Sequence, residues 1–372
     1  GQPAHRVSYG HRRILGMEWV LPDGRLLRTG ALASGKTDVP FWGEGPGPDL
    51  RGMVRNQMGH MGGLGFVTRL GVKLFAMPQF EPERAGVNPY TRFSAPEDKF
   101  RWYVIFYDNV EGCVEAMYKI GQSEIGWAVM RVPALWRPLR KAINKRDFFE
   151  IWGKEIEEVR KKKINIFRVA LCGYAGIEQL EYEERVLKDI AQETGGVFTR
   201  AKQTSAGDAF QNGVAACAYK PTGAFMSQKL ALDSVDHALK QVRGSIHLKY
   251  QLQPEHLIDD AEEAGWIMSY DFGHISHSEE TTYYDNTEEE SAVAVQHELE
   301  TVKYDVEHKS FTGWQLGWSH ALLGPEMCHY HELMQKFRDT FDRKWLSNPP
   351  RFHINKEEKK KYPNTYPYRP GW

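Results

Sequence analysis

Hydrophobic positions in the first 80 residues come in short runs broken by turn residues, the pattern of β-structure. Met17–Leu21 (MEWVL) and Arg25–Thr29 (RLLRT) flank Pro22-Asp23-Gly24, so two short strands around an Asp-Gly turn predict a hairpin. Gly30–Asp49, with Gly43-Glu44-Gly45-Pro46-Gly47-Pro48, reads as a loop, and Leu50–Gln57 as a short helix. The helix leads into a glycine-dense stretch, Gly59–Pro78 (GHMGGLGFVTRLGVKLFAMP). Its residues after Gly65 (Phe66, Val67, Thr68, Leu70, Val72, Leu74, Phe75) predict a strand. Such a turn is either a tight connection between strands or a backbone pressed against a flat or phosphate-bearing ligand.

Pro78–Lys99 is polar and carries Pro78, Pro82, Pro89 and Pro96, which marks a linker and a domain boundary. The pattern then changes. Strands are predicted at Arg101–Tyr107, Ala128–Val132, Ile166–Cys172 and Val197–Arg200. Between them the pattern predicts helices at Asn109–Gly121, Arg146–Lys163 and Ile177–Glu193, the last stopped by Gly195-Gly196. This alternation predicts an α+β sandwich with helices on one face of a sheet. Further on, helices are expected at about Ala231–Arg243, around Pro254–Ala264, at Glu288–Lys309 and at Met334–Thr340. Strands are expected at His247–Gln251, at Trp266–Phe272 and around Tyr283–Tyr284. Glu288-Glu289-Glu290 suits the positive end of a helix dipole. No repeat of fixed period is visible, Lys356–Lys361 is a solvated charge run, and Tyr362–Trp372 reads as an extended tail.

Composition narrows the function classes. The 372 residues allow two or three domains. Charge is balanced at 48 basic against 49 acidic residues, which argues against a nucleic-acid partner. No apolar run approaches the ~18 residues of a membrane span, so the expectation is a soluble, cytoplasmic protein. Cys113, Cys172, Cys217 and Cys328 are far apart and form no CxxC, which argues against a zinc ribbon or an iron–sulfur site. The 11 Trp, 17 Tyr and 18 Phe suit either large buried surfaces or an aromatic-lined pocket.

Four segments, in order, resemble the flavoprotein family of vanillyl-alcohol oxidase and the flavoprotein subunit of p-cresol methylhydroxylase. Gly16–Gly30 (GMEWVLPDGRLLRTG) is similar to the family's G-M-E-x-V-L-x-x-G-x-x-x-R-T-G. Trp42–Pro78, with Gly65-Phe66-Val67-Thr68, resembles its Gly-Ile-x-Thr strand along the flavin. Gly265–Tyr284 and Gly313–Arg351, the latter ending in Asn348-Pro349-Pro350-Arg351 where the family has Pro-Gly-Lys, complete the set. The whole chain resembles the C-terminal two-thirds of these proteins. That implies the second half of a split FAD-binding domain (1–90), a ferredoxin-like α+β substrate or cap domain (91–335) and a C-terminal return (336–372). It also implies that another chain or segment supplies the N-terminal half holding the FAD pyrophosphate, and an oligomer. The electron acceptor stays open between oxygen and an electron-acceptor protein, whether a cytochrome, an iron–sulfur protein or another flavoprotein. The family's flavin-linking His falls near Gly223-Ala224, so FAD is expected to be non-covalent. Its phenolate-holding Tyr-Arg pair falls on Gly317-Trp318, so a neutral or differently held hydrophobic substrate is expected.

The resemblance assigns Gly59, Gly62, Gly63, Gly65, Phe66, Val67, Thr68, Asn348 and Arg351 to the cofactor. Hydride transfer from an alcohol or an activated C–H needs a nearby base, and His274, His277 and His320 are the candidates. Each is alternatively an ordinary hydrogen-bonded histidine. A metal at His274 and His277 would need further ligands, and Cys328-His329-Tyr330-His331 reads as the surface start of a helix. Trp266, Tyr270, Phe272, Trp314 and Trp318 line an aromatic substrate pocket or pack the core. Two functions follow: an FAD-dependent oxidoreductase, or a non-catalytic subunit that keeps the fold for assembly.

Overall fold

The computed structural model describes residues 4–8, 10–34, 64–81, 83–85, 92–200, 217–261, 265–311, 324–328, 330–344 and 346–347. The chain divides into two compact units, Tyr9–Phe75 with Val306–Trp372, and Gly1–Ser8 with Ala76–Asp305. The resemblance implies divisions after residues 90 and 335.

In the smaller unit β1 (Ile14–Val20), β2 (Leu26–Thr29) and β3 (Phe66–Val72) form an antiparallel sheet in the order β2-β1-β3. The hairpin turn forms because Gly24 takes φ 86° and Leu21 N donates to Arg25 O at 2.8 Å. Ile14, Met17, Trp19 and Leu21 face one way and bury against Leu64, Val67 and Phe337 and Phe341 of the helix Tyr330–Phe341. Trp19 stacks on Phe341 at 5.9 Å. On the other face Glu18 accepts from Arg28 Nε (3.1 Å) and Thr68 Oγ1 (3.1 Å). The predicted strand stops at Val72, so Leu74 and Phe75 lie beyond it, exposed. Gly30–Ser34 is a short 3-10 turn, and the helix expected at Leu50–Gln57 lies outside the described residues.

In the larger unit α1 (Ala4–Val7) precedes a small ribbon of β4 (Glu83–Ala85) and β5 (Arg92–Ser94), which occupies the expected linker. There follow β6 (Phe100–Tyr107), α2 (Val110–Gln122), β7 (Ala128–Val132), α3 (Trp136–Lys141), α4 (Lys145–Lys162), β8 (Asn165–Cys172), α5 (Ile177–Glu193) and β9 (Val197–Arg200). The second half has β10 (Gly223–Asp233), α6 (Val235–Gly244), α7 (Ile246–Tyr250), β11 (Trp266–Tyr270), β12 (Ile275–Asp285) and α8 (Glu288–His308), which belongs to this unit up to Asp305.

Seven strands pair antiparallel in the order β10-β12-β11-β7-β8-β6-β9. The run β6-α2-β7-β8-α5-β9, ordered β9-β6-β8-β7, is a ferredoxin-like split βαβ arrangement. The run β10-α6-β11-β12-α8 repeats it without a fourth strand among the described residues. The two modules meet where β11 pairs β7, through Ile267↔Arg131 and Met268↔Met130. Asn109 caps α2 by accepting from Gly112 N at 2.9 Å, and Asn144 caps α4 by accepting from Asp147 N at 3.0 Å.

One sheet face buries Ile105, Val129, Phe167 and Ile267 under Val114 and Met117 of α2, Leu187 of α5 and Leu239 of α6. The helices are not confined to that face. Leu139 of α3 and Phe148 and Trp152 of α4 pack with Ile166, Phe225 and Tyr283 on the other, because the β7–β8 connection crosses over the sheet. Three further expectations fail. The helix expected from Ala231 starts at Val235, since 223–233 is a strand and Ser234 caps by accepting from His237 N. His247–Gln251 is helical through Tyr250: its alternation mimics a strand, but Lys249 turns inward to pair with Asp260. Residues 251–257 are turns rather than the start of a helix, and Leu257 packs with Ala224, Tyr284 and Ala294. Among the described residues no helix is long and apolar enough to cross a membrane.

Candidate active site

The second sheet face is where His277, Trp266 and Tyr270 meet. Side chains alternate along a strand, so Trp266, Met268 and Tyr270 of β11 point to one side. Register sets His277 of β12 opposite Met268, and Glu279 opposite Trp266. His277 is buried, and its Nε2 lies 2.7 Å from Glu279 Oε1. Ser227 of β10 donates to the other carboxylate oxygen at 2.9 Å. Aromatic rings wall the pair: Trp266 lies 5.1 Å from the His277 ring, Tyr270 6.0 Å, and Trp136 of α3 sits 5.8 Å from Trp266. The buried Trp266 Nε1–H has no acceptor among the described residues. A carboxylate fixes the orientation of an imidazole and neutralises the charge of its protonated form, so this pair can take up a proton inside an apolar wall.

The same face carries two arginines. Arg168 lies mid-strand in β8, and Arg140 lies one turn beyond Trp136 on α3. Burial pushes Arg168 down to about 10. Burial, and then the charge of Arg168, push Arg140 down to about 9, while Cys217 acts in the opposite direction.

The other candidates are placed elsewhere. His274 is exposed in the turn before β12, its backbone N–H donating to Asp271 O, so it does not join His277. Phe272, at φ 53°, turns its ring edge onto His5 at 5.3 Å, and its carbonyl backs onto Gly121 of α2. It therefore supports the helix-covered side rather than the His277 wall. His320, Trp314 and Trp318 lie outside the described residues. Glu279 went unnoticed in the sequence, although the two-residue period from His277 points to it. Arg168 also carried a signal, being a charge inside the apolar run of β8. Nothing in the sequence marked Ser227 or Arg140.

Two cavities of this unit lie away from the His277 pair. One of 370 Å³ borders Asn109, Arg131 and Asn165, and one of 290 Å³ borders Trp152, Pro254 and Tyr283. Two cations of the first are already paired, Arg160 with Asp259 and Arg243 with Glu111.

In the smaller unit Gly65 is buried at φ 103°, and a Cβ there would lie 2.3 Å from Val20 O. Close approach to β1 thus requires this glycine, whether or not a ligand lies near. Thr68 is engaged by Glu18, Val67 is half-buried in the core, and Phe66 is 76% exposed. β3 pairs on one side alone among the described strands, so no described strand covers its outer row of backbone donors and acceptors. A flavin ring edge alternates acceptors with an imide N–H, and such a row suits it. Gly59, Gly62, Gly63, Asn348 and Arg351 lie outside the described residues.

No family model and no curated protein matches the sequence. Solved structures do match in fold. Substrate-bound p-cresol methylhydroxylase aligns over 92% of this chain with TM-score 0.65 at 16% identity. The isoeugenol complex of 4-ethylphenol oxidase from Gulosibacter chungangensis aligns over 95%, with TM-score 0.64 at 15% identity. Alkyldihydroxyacetonephosphate synthase aligns over 94%, with TM-score 0.50 at 14% identity. The chain spans 65% of the length of the p-cresol methylhydroxylase chain, 69% of the oxidase and 55% of the synthase. At these identities the likeness is one of fold: the chain has the mixed helix-and-sheet architecture of these proteins over about its whole length.

Proposed function

We propose that this chain is the larger part of an FAD-dependent oxidoreductase. It acts on an alcohol or an activated C–H of a hydrophobic, aromatic substrate, together with a segment or subunit that supplies the other half of the FAD site. The observation that carries this reading is the His277–Glu279 pair, 2.7 Å apart and walled by Trp266, Tyr270 and Trp136. The fold likeness and the four sequence segments add to it.

FAD, when bound, supplies the hydride acceptor. The outer edge of β3 would hold its ring, and a non-covalent state is supported by Gly223 and Ala224, which offer no nucleophile near the position where the resemblance puts the family's flavin link. His277 receives the substrate hydroxyl proton, and Glu279 holds the imidazole and balances the charge it gains. Trp266, Tyr270 and Trp136 seat the substrate ring and keep water from the proton transfer. The Trp266 N–H orients the substrate oxygen. Oxygen or an electron-acceptor protein completes the cycle.

The test uses the protein isolated with whatever copurifies. It should carry a flavin absorbance that acid precipitation releases into solution, and a benzylic alcohol should bleach it anaerobically. His277→Asn and Glu279→Gln should each slow that bleaching by about 10²-fold or more. Bound flavin with unchanged turnover in both variants would favour a non-catalytic assembly subunit. A complete complex without flavin would defeat the proposal.

A further inference from the structure

Glu279 is held at both of its carboxylate oxygens. His277 Nε2 lies 2.7 Å from Oε1, and the Ser227 hydroxyl donates to Oε2 at 2.9 Å. An ionised carboxylate can only accept, so Nε2 carries a hydrogen towards it. Burial is uneven across the pair: the His277 side chain is 3% exposed and that of Glu279 23%. Water therefore reaches the carboxylate far more readily than the imidazole. A glutamate held at one oxygen can still pivot about its side-chain bonds towards that water. Held at both, it is fixed.

Ser227 owes its place to an irregularity in β10. Register runs Phe225↔Tyr283 and Ser227↔Thr281, on the face of His277 and Glu279, and then jumps to Lys229↔Glu280 and Leu230↔Glu279. Gln228 is thus the extra residue of a β-bulge, a feature that re-aims side chains and recurs next to active sites. Ser227 stands diagonal to Glu279, within reach of a long side chain. An unbroken ladder would instead set Lys229 opposite Glu279, where an ammonium would compete with the imidazole for the carboxylate. The bulge moves position 229 opposite Glu280, which belongs to the other sheet face.

We infer that Ser227 is a positioning residue. Its hydroxyl locks the Glu279 carboxylate, and through it the His277 ring, in the orientation that receives the substrate proton. Without the hydroxyl Glu279 remains but swings to water, and His277 loses both its alignment and the charge that balances its protonated form. The loss falls on proton transfer rather than on substrate binding, since the aromatic wall is untouched. This rests on the reading of His277 as the base.

Histidine-selective nitrogen-15 labelling of the isolated protein reads the pair without turnover. The Nε2–H signal of His277 is assigned by its absence in His277→Asn. It should exchange with water about ten-fold faster or more in Ser227→Ala. Ser227→Thr should keep exchange slow, while the isosteric Ser227→Val should not, which separates the hydroxyl from packing in the strand. Anaerobic bleaching of bound flavin by saturating benzylic alcohol should slow about ten-fold in the alanine and valine variants, with the half-saturating concentration unchanged. Exchange that is unchanged in Ser227→Ala, or equal in the threonine and valine variants, would overturn the inference. The two ideas fail separately. Hydroxyl-dependent exchange in a complete complex without flavin would sink the oxidoreductase reading alone. Bleaching that needs His277 and Glu279 but is indifferent to Ser227 would sink this one alone.

Discussion

Acid should loosen the larger unit through His5. This side chain is fully buried, with Nε2 3.0 Å from Ile125 O and Nδ1 2.8 Å from Ser269 Oγ. A carbonyl can only accept, so Nε2 carries the hydrogen, and Nδ1 accepts from the Ser269 hydroxyl. Protonating Nδ1 would force the Ser269 hydroxyl to turn from donor to acceptor and would place a charge in a fully buried site. Burial accordingly lowers His5 from 6.5 to about 3, against the Ile125 carbonyl and with some help from the charge of Arg6. The unfolded chain therefore binds the proton more readily than the folded one. The stability tied to neutral His5 is complete above pH 6.5 and is lost progressively as pH falls from there towards 3. Between pH 7 and pH 5 the loss is about 2 kcal/mol, from RT times the logarithm of the ratio of binding polynomials. Because the chain has two compact units, a single melting curve would mix them. Amide hydrogen exchange of β11 and β7, corrected for intrinsic rates, isolates the relevant opening. The native protein should lose about 2 kcal/mol more than His5→Gln over that range. The glutamine amide can still donate to Ile125 O but does not titrate. Equal losses in the two proteins would refute the argument.

Gly65→Ala should destabilise the β1–β3 sheet by roughly 2 kcal/mol or more, because it combines a left-handed backbone with a carbonyl clash at Val20; an unchanged denaturation midpoint would contradict this. Glu184 accepts from Arg101 Nη1 at 2.6 Å. Burial alone would raise its pKa, but hydrogen bonds from Lys188, Tyr103 and Arg101 outweigh it and hold the carboxyl down at about 2. Its contribution is thus present above pH 4.5 and is lost below it, so Glu184→Gln should flatten the pH dependence of unfolding between 4.5 and 2. Iodoacetamide on the folded protein should label exposed Cys328 before buried Cys113, Cys172 and Cys217. Burial also pushes Cys172 up to about 12, and peptide mass spectrometry would expose a different order.

Much of the ferredoxin-like half was legible because its strands are apolar runs and its helices are amphipathic, with Asn caps and glycine stops at readable places. Ala128–Val132 and Ile177–Glu193 fall at the predicted residues. The second half hid its strands. β10 mixes Met226, Ser227 and Gln228 with apolar residues, and its end passes directly into α6, so local pattern does not mark the boundary. The turns after α7 owe their shape to Lys249 and Asp260 meeting in the core, a contact no local window contains. In the site, His277, Trp266 and Tyr270 come together because they share one face of two paired strands. His274 does not, since a three-residue offset is a helical spacing and not a strand's. Arg140 joins Arg168 through the path of a connection, which spacing in the sequence does not encode.

The join between the two modules has a kinetic meaning. Each module closes on contacts within its own stretch of chain, whereas β7 and β11 meet through two residue pairs distant in sequence. Loop closure disfavours that joint early in folding, so the sheet forms as two halves that zip together late. His5 bridges the joint, bonded on one side to Ile125 and on the other to Ser269, 120 and 264 positions away. Helix α1, which carries His5, can dock only once both halves are in register. It acts as the latch of assembly, and a slow final phase in refolding should carry its signature.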